Sequence, residues 1–293
     1  MKQPALTSSE LILNDDGSIY HLNLKPADIA ETIITVGDPD RVEAVSKHFD
    51  ALEVEVQKRE FKTHTGTYKG KRITVISTGI GTDNIDIVLN ELDALANIDF
   101  KTRRVKKDLT KLTIIRIGTS GAIQPTIPID SFLVTETAIG FDNLLHFYGN
   151  ISFTDSAFSE AFVQHTNWNA HKSTPYVVSA DTELLKLFSS ETDFLKGCTA
   201  TNVGFYGPQG RVLRLQTEDN MLNDKLTSFQ FQKKKITNLE METSGIYGMA
   251  TLLGHRAISL NAILANRCDQ TFSKQPQKTV DLLIQKTLSI LVA

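Results

Sequence analysis

The sequence predicts one α/β domain, with a largely parallel or mixed central sheet covered by helices on both sides. Three observations point there. Short β-branched apolar runs are followed by Gly-rich turns, and then by residues at helical spacing. With 41% hydrophobic and 22% charged residues, the composition is that of a globular chain able to bury a substantial core. No internal repeat, low-complexity tract or linker divides the 293 residues.

The first twenty residues are polar and are expected to form a flexible segment, leaving 21–293 as the domain. Ile33 to Val36 is the first strand. Gly37-Asp38-Pro39 stops it, and Pro39 suits the first position of a short helix carrying Arg41, Val42 and Val45. A strand, a glycine turn and a helix start form an anion site, because free backbone N–H groups and the helix dipole converge there. Arg41 would add a charge; an ordinary turn is the alternative. The second unit runs from Ile73 to Ile76 through STGIGTDN into a helix with Ile85, Val88, Leu89 and Leu92 on one face, capped by Thr82 or Asp83. Its turn matches neither the dinucleotide fingerprint nor the Walker lysine loop. Residues 101–111, KTRRVKKDLTK, read as a solvated loop or hairpin tip in preference to a nucleic-acid patch.

The third unit is LTIIRI at 112–117, followed by GTSGAIQP. Arg116 sits near the end of an apolar strand, where a charge is costly unless paired. With Thr119, Ser120, Gly118 and Gly121 beside it, the set describes a phosphate pocket; pairing with a buried carboxylate is the other reading. Further strands are read at 131–138, 176–179 and 199–204, and a helix at 158–168. The last of these strands enters GFYGPQGRVLRL. Phe205, Gln209 and Arg211 there put an aromatic face, an amide and a guanidinium on one irregular loop, able to stack on and hydrogen-bond a planar heterocycle.

NLEMETSG at 238–245 places Glu240 and Glu242 two residues apart at the start of an apolar helix closed by Gly254. On extended backbone both carboxylates face one cavity and Met241 takes the other side. Mild stabilisation of a helix N-terminus is the structural alternative for Glu242. A strand at 257–264 and an amphipathic helix with Val280, Leu283, Ile284, Leu288 and Leu291 complete the pattern.

A net charge of −3 and a pI near 6.2 give no general pull toward nucleic acid or anionic membrane, so local arginines must hold any anion. Two cysteines, Cys198 and Cys268, form no CxxC pair, which argues against a disulfide framework or zinc knuckle and fits a reducing, cytoplasmic setting. No apolar stretch suits a signal peptide or a membrane span. The seven histidines show no metal-ligand spacing such as HExxH.

GDPDRV at 37–42, STGIG at 77–81, RIGTSGAIQP at 116–125 and EMET at 240–243 follow the order of blocks in the nucleoside phosphorylase-I family. From about His21 onward the chain resembles that family, and GFYGPQGR at 204–211 keeps the Phe-x3-Gln-x-Arg spacing of the uracil-reading loop in its uridine branch. The resemblance implies a three-layer α/β/α sandwich around a mixed, partly barrel-like sheet. It implies phosphorolysis of uridine, with deoxyuridine a further candidate, to uracil and ribose 1-phosphate in pyrimidine salvage. Gly37, Arg41, Arg116 and Thr119 would hold phosphate, joined by Arg59 of a neighbouring subunit. Glu242, Thr119, Met241 and a neighbour's His21 would hold the ribose. Ser120, Gly121, Phe205, Gln209, Arg211 and the backbone of Glu240 would hold the base. Arg116, Glu242, Gln209 and Arg211 would form the catalytic set.

Glu60 and Ser77 match positions that bind a monovalent cation at a subunit interface in some relatives, so a structural K+ is the one cofactor expected; phosphate is a substrate. The same resemblance implies a homo-oligomer with a dimer as active unit, within a hexamer, and no nucleic-acid or membrane partner. A purine nucleoside phosphorylase, a nucleosidase that uses water and would have no use for three phosphate arginines, and a non-catalytic nucleoside-binding protein on the same fold are the alternatives. SGIYGMA resembles the purine branch, whereas Asn266-Arg267 stands where that branch carries an aspartate.

Overall fold

A computed structural model describes residues 4–191 and 193–293. The first predicted unit is β1 (Thr32–Val36) and α1 (Pro39–Ser46). An antiparallel set follows: β2 (Ala51–Lys58), β3 (Phe61–Tyr68) and β4 (Lys71–Ser77), the last leading into α2 (Thr82–Asn97). A short pair, β5 (Ile98–Asp99) and β6 (Arg104–Val105), precedes the long β7 (Thr113–Ala122). Next come β8 (Phe132–Gly140), α3 (Ser156–Thr166), β9 (Tyr176–Ser179), α4 (Thr182–Ser189) and β10 (Phe194–Thr201). The rest is α5 (Leu222–Ser228), β11 (Gln230–Phe231), β12 (Lys234–Glu240), α6 (Thr243–Leu253), β13 (Arg256–Asn266), β14 (Thr271–Phe272) and α7 (Pro276–Leu291).

The main path of the sheet runs β11-β12-β10-β8-β13-β7-β1-β4-β3-β2, and β12 also pairs with β7. That extra pairing closes β7, β12, β10, β8 and β13 into a ring, while β1, β4, β3 and β2 extend it as an open sheet. The mixed, partly barrel-like sheet is therefore what the chain forms. β1 is buried along its whole length, as a strand covered on both faces must be. α1 packs with α7, and α2 packs with α6. α2 buries Ile85, Val88, Leu89 and Leu92, and α7 buries Leu283, Ile284 and Leu288. Each such side chain contributes about 1.5–3 kcal/mol relative to exposure.

Several local expectations are corrected. β2 and β3 form a hairpin that periodicity missed, because β2 is an edge strand with half-exposed, largely polar positions. α4 and α5 are too short for a clear helical period. The strand read at 199–204 begins earlier and ends at Thr201. Neither Thr82 nor Asp83 caps α2: Gly81 is its N-cap at φ +98, a conformation that glycine adopts without a Cβ penalty.

The polar N-terminus is not loose over the described residues. Leu11 and Ile19 are buried, and Leu13 bridges to Ile19. Arg103, from the basic 101–111 stretch, donates through Nε to the carbonyl of Leu6 (2.8 Å) and through Nη2 to that of Thr7 (2.6 Å). Its own carbonyl accepts the N–H of Leu6 at 2.7 Å. Lys106 donates to the Ala96 carbonyl. Part of the basic stretch is thus a clamp made of backbone hydrogen bonds, which the charge pattern alone did not reveal. Arg103→Ala is expected to release residues 4–10. Amide exchange there should accelerate strongly while the melting temperature of the body changes little, since only surface contacts are lost.

Candidate active site

Open α/β sheets gather ligands beyond the carboxyl ends of their strands. Here Gly37 follows β1, Thr119, Ser120 and Gly121 lie at the end of β7, and Glu240, Met241 and Glu242 follow one another where β12 turns into α6. Together with Gly79 and Ile80 ahead of α2, and with Phe205, Gln209 and Arg211 after β10, they line one cavity of about 760 Å³. Arg41, Arg116 and Glu60 line it as well. That volume lies within the range of small-molecule sites.

At its floor Arg116 is buried to 6% exposure and pairs with buried carboxylates, the second of the two readings the sequence allows. Nη2 donates to Glu242 Oε2 at 2.6 Å and lies 3.2 Å from Glu240 Oε2, while Nη1 donates to Asn261 Oδ1 at 2.9 Å. Burial alone would depress the arginine's pKa; Glu240 and Glu242 outweigh it, and the pKa is raised. The carboxyl pKa of Glu242 is raised too, chiefly by burial; Arg116 opposes the rise and Glu240 adds to it. Arg41 is lowered, by burial first and then by the like charge of Arg116. The guanidinium reaches these partners by folding back over Gly118, where a Cβ would stand 1.9 Å from Nη1.

Both glutamates line the cavity as expected, but Met241 lines it too instead of taking the other side, because the chain turns there, and the two acids do different things. The chain turns at Glu242 (φ −135, ψ −30), which becomes the N-cap residue of α6. Glu240 swings its Oε2 onto the N–H groups of Glu242 and Thr243, both at 2.9 Å, and so caps the helix in its neighbour's place. Glu242 Oε1 accepts the N–H of Gly81 at 2.9 Å, so its carboxylate sits at the start of α2. Each acid is held at a helix N-terminus, where negative charge is favoured.

On the loop after β10, a 3-10 turn over Gly207–Gln209 and Gly210 at φ +68 bury Gln209. Arg211 Nη1 donates to Gln209 Oε1 and to the Phe205 carbonyl, both at 2.6 Å, and its guanidinium lies 3.8 Å over the Phe205 ring. The three residues singled out on this loop are therefore one unit. Ser120 lines the cavity, but its hydroxyl accepts from Asn238 at 2.9 Å. The start of α1 is less open than expected: Asp38 caps it by accepting the N–H of Asp40 at 3.0 Å, which removes one amide from any anion.

Two assigned residues lie outside the cavity of their own chain. His21 Nδ1 contacts Glu91 at 2.6 Å, and the Arg59 guanidinium lies 5.8 Å from the Tyr20 ring centroid. Ser77 is buried; its hydroxyl donates to the Glu60 carbonyl (2.5 Å) and accepts from the N–H of Lys62 (2.7 Å). Sequence reasoning missed Asn261, Gly81 and Gly118 as partners of the acid–base floor. A buried amide in the apolar run ISLNAIL was the only signal for Asn261. It also gave Arg267 no task, although Arg267 Nη1 is a buried donor with no partner among the described residues, and the nearby charge of Arg211 depresses its pKa further after burial.

The sequence model of the Phosphorylase superfamily matches residues 31–293. The chain belongs to that superfamily. Uridine phosphorylase of Thermococcus kodakarensis is 29% identical over 293 aligned positions, covering 97% of this chain and 90% of the relative. A DeoD-type purine nucleoside phosphorylase of Clostridium perfringens is 28% identical, covering 92% and 96%. The solved Trypanosoma brucei nucleoside phosphorylase, described as showing uridine phosphorylase activity, superposes with a TM-score of 0.86 at 30% identity, covering 96% of this chain and 99% of that one. The protein is accordingly an enzyme of the pentosyltransferase kind.

Within this phosphorylase, the space over Gly118 carries the position of Arg116. Gly118→Ala is expected to keep the fold, because the clash is with a side-chain tip, and to push the guanidinium off Asn261 and Glu242. Such a displacement costs about a hundredfold in kcat/KM, to be read by steady-state kinetics, and lowers the melting temperature because a buried ion pair is broken, with circular dichroism checking that the fold is kept.

Proposed function

We propose that the enzyme cleaves uridine with inorganic phosphate, giving uracil and ribose 1-phosphate. The observation that carries this reading is the 2.6 Å contact of Arg116 with Glu242 in a cavity that also holds the Gln209–Arg211–Phe205 unit. Arg116 and Arg41, with Thr119 and the Gly37 turn, supply the charge to hold a phosphate dianion. Glu242 is fixed by Gly81 and Arg116, yet each carboxylate oxygen keeps acceptor capacity for the 2′ and 3′ hydroxyls of a ribose. Met241 packs on the sugar, and Phe205 stacks on the base.

A phosphate oxygen then forms a bond to C1′ as the C1′–N1 bond breaks, and the electron pair leaves with the uracil ring. Positive charge develops on the sugar near Glu242. Negative charge on the leaving base is met by the Gln209 amide and the Arg211 guanidinium, with Arg267 nearby. Holding the two reactants in line supplies much of the rate. Support for a pyrimidine comes from the amide–guanidinium pair and from Asn266-Arg267 where the purine branch has an aspartate. The DeoD-type relative favours the second reading, a purine substrate.

Incubation with uridine and with inosine, each with and without phosphate, separates these. Phosphate-dependent release of uracil, with little hypoxanthine, is expected. Gln209→Ala should cost uridine cleavage about a hundredfold, the typical loss for one such donor; an equal loss on both nucleosides would remove the base assignment.

The oligomeric reading is also a proposal: a dimer as active unit, assembled further into a hexamer. It is supported by the β2–β3 turn, where Glu60 lines its own chain's cavity while its neighbour Arg59, at φ +56, turns toward the Tyr20 ring. Adjacent residues of one tight turn thus serve two directions, and Arg59 and His21 are offered to a neighbour. A monovalent cation beside Glu60 and Ser77 stays a proposal of the same interface. Mixing Arg59→Ala with Glu242→Ala subunits tests the dimer. Hybrids should regain activity that neither parent shows; inactive hybrids of proven mixed composition would count against shared sites.

A further inference from the structure

Glu240 is a buried carboxylate, 4% exposed, for which the substrate chemistry above has no use. Its Oε1 accepts the Thr201 hydroxyl at 2.6 Å, and its Oε2 accepts two α6 amides and stands 3.2 Å from Arg116 Nη2. Across the same guanidinium, the fully buried Asn261 accepts from Nη1 at 2.9 Å. Ser259 Oγ, at 3.5 Å from Nη1, is a weak further contact. β13 sets Asn261 directly opposite Gly118, in the space that the absent Cβ leaves to the arginine. Two of the five N–H donors of Arg116 are spent on Glu242 and Asn261, and Glu240 adds an ion-pair contact at 3.2 Å.

We propose that Glu240 and Asn261 are positioning residues that grip the Arg116 guanidinium from two sides, so that Glu242 can turn its spare acceptor capacity to the sugar while Arg116 stays fixed for phosphate. This rests on the phosphorolysis reading. Glu240 is suited to the task because backbone amides and Thr201 hold its carboxylate in one orientation, whereas Glu242 faces ligand. Its charge has two opposed consequences. It partly offsets Arg116, weakening the pull on phosphate, and it makes the neighbouring Glu242 a stronger acceptor for the sugar diol. Asn261, being neutral, anchors the guanidinium without adding to that offset.

Opposed effects make the test selective. Glu240→Gln keeps an oxygen for the α6 amides and removes the charge. The KM for phosphate should fall and that for uridine rise, each by about tenfold, the scale of a unit charge acting over a few Å in a partly screened site. Asn261→Asp adds a charge against the same guanidinium and should raise the phosphate KM by about the same factor. Glu240→Asp, which keeps the charge, should leave the phosphate KM near the wild-type value. Thermal unfolding checks that each variant is folded; should Glu240→Gln fail to fold, Asn261→Asp and Glu240→Asp decide. If both KM values of Glu240→Gln move together, or if the phosphate KM does not rise in Asn261→Asp, the proposal is overturned. Phosphate-independent cleavage by the wild-type enzyme would overturn the phosphorolysis reading itself, before any variant is compared.

Discussion

One buried guanidinium organises the active site. Arg116 gives up its hydration inside a sheet, and that loss is tolerable only because Glu242, Glu240 and Asn261 replace water with well-placed acceptors. The acids are themselves supported, one at the start of α2 and the other at the start of α6. Two arginines, two carboxylates and two helix N-termini form a nearly balanced cluster. In the proposed reaction a phosphate dianion would enter such a cluster without having to displace a surface ion pair, and a sugar diol would find an acid already oriented.

The closure of five strands into a ring makes this possible. β12 meets β7 with Leu239 opposite Gly121, and β13 meets β7 with Ser259 opposite Arg116. A shift of one residue in either register would turn these side chains to the opposite face. Glycine matters here for a steric reason. Gly118 carries no Cβ because the arginine side chain occupies that volume. Farther out, rigidity gives way to exposed side chains: Ile80, Phe205 and Phe272 line the cavity yet remain largely accessible. The loop after β10 holds together through Arg211, which ties Phe205 and Gln209 at once.

Much of this was legible without coordinates. The strand–glycine–helix units, Gly254 as the end of α6, and the apolar face of α7 all follow from local periodicity and backbone preference. That Arg41, Arg116, Glu242, Gln209 and Arg211 belong to one site was legible as well, since charged and amide groups near glycine turns carry their own signal, and all five line the same cavity. Edge strand β2 escaped because its polar, half-exposed residues lack a buried face to reveal them. The N-terminal segment was misjudged because its order comes from backbone carbonyls bound by Arg103, and backbone partners leave no trace in composition.

The sequence by itself determined the kinds of groups available and the short elements that carry them, because propensity and spacing act over a few residues. Only the tertiary structure decided who meets whom. Arg116 finds Glu242 across 126 residues and Asn261 across 145, while Glu240, two positions from Glu242, turns to a different task. Those partnerships depend on strand order and register around a closed ring, and such long-range geometry is a property of the assembled sheet, with no counterpart in any local stretch of chain.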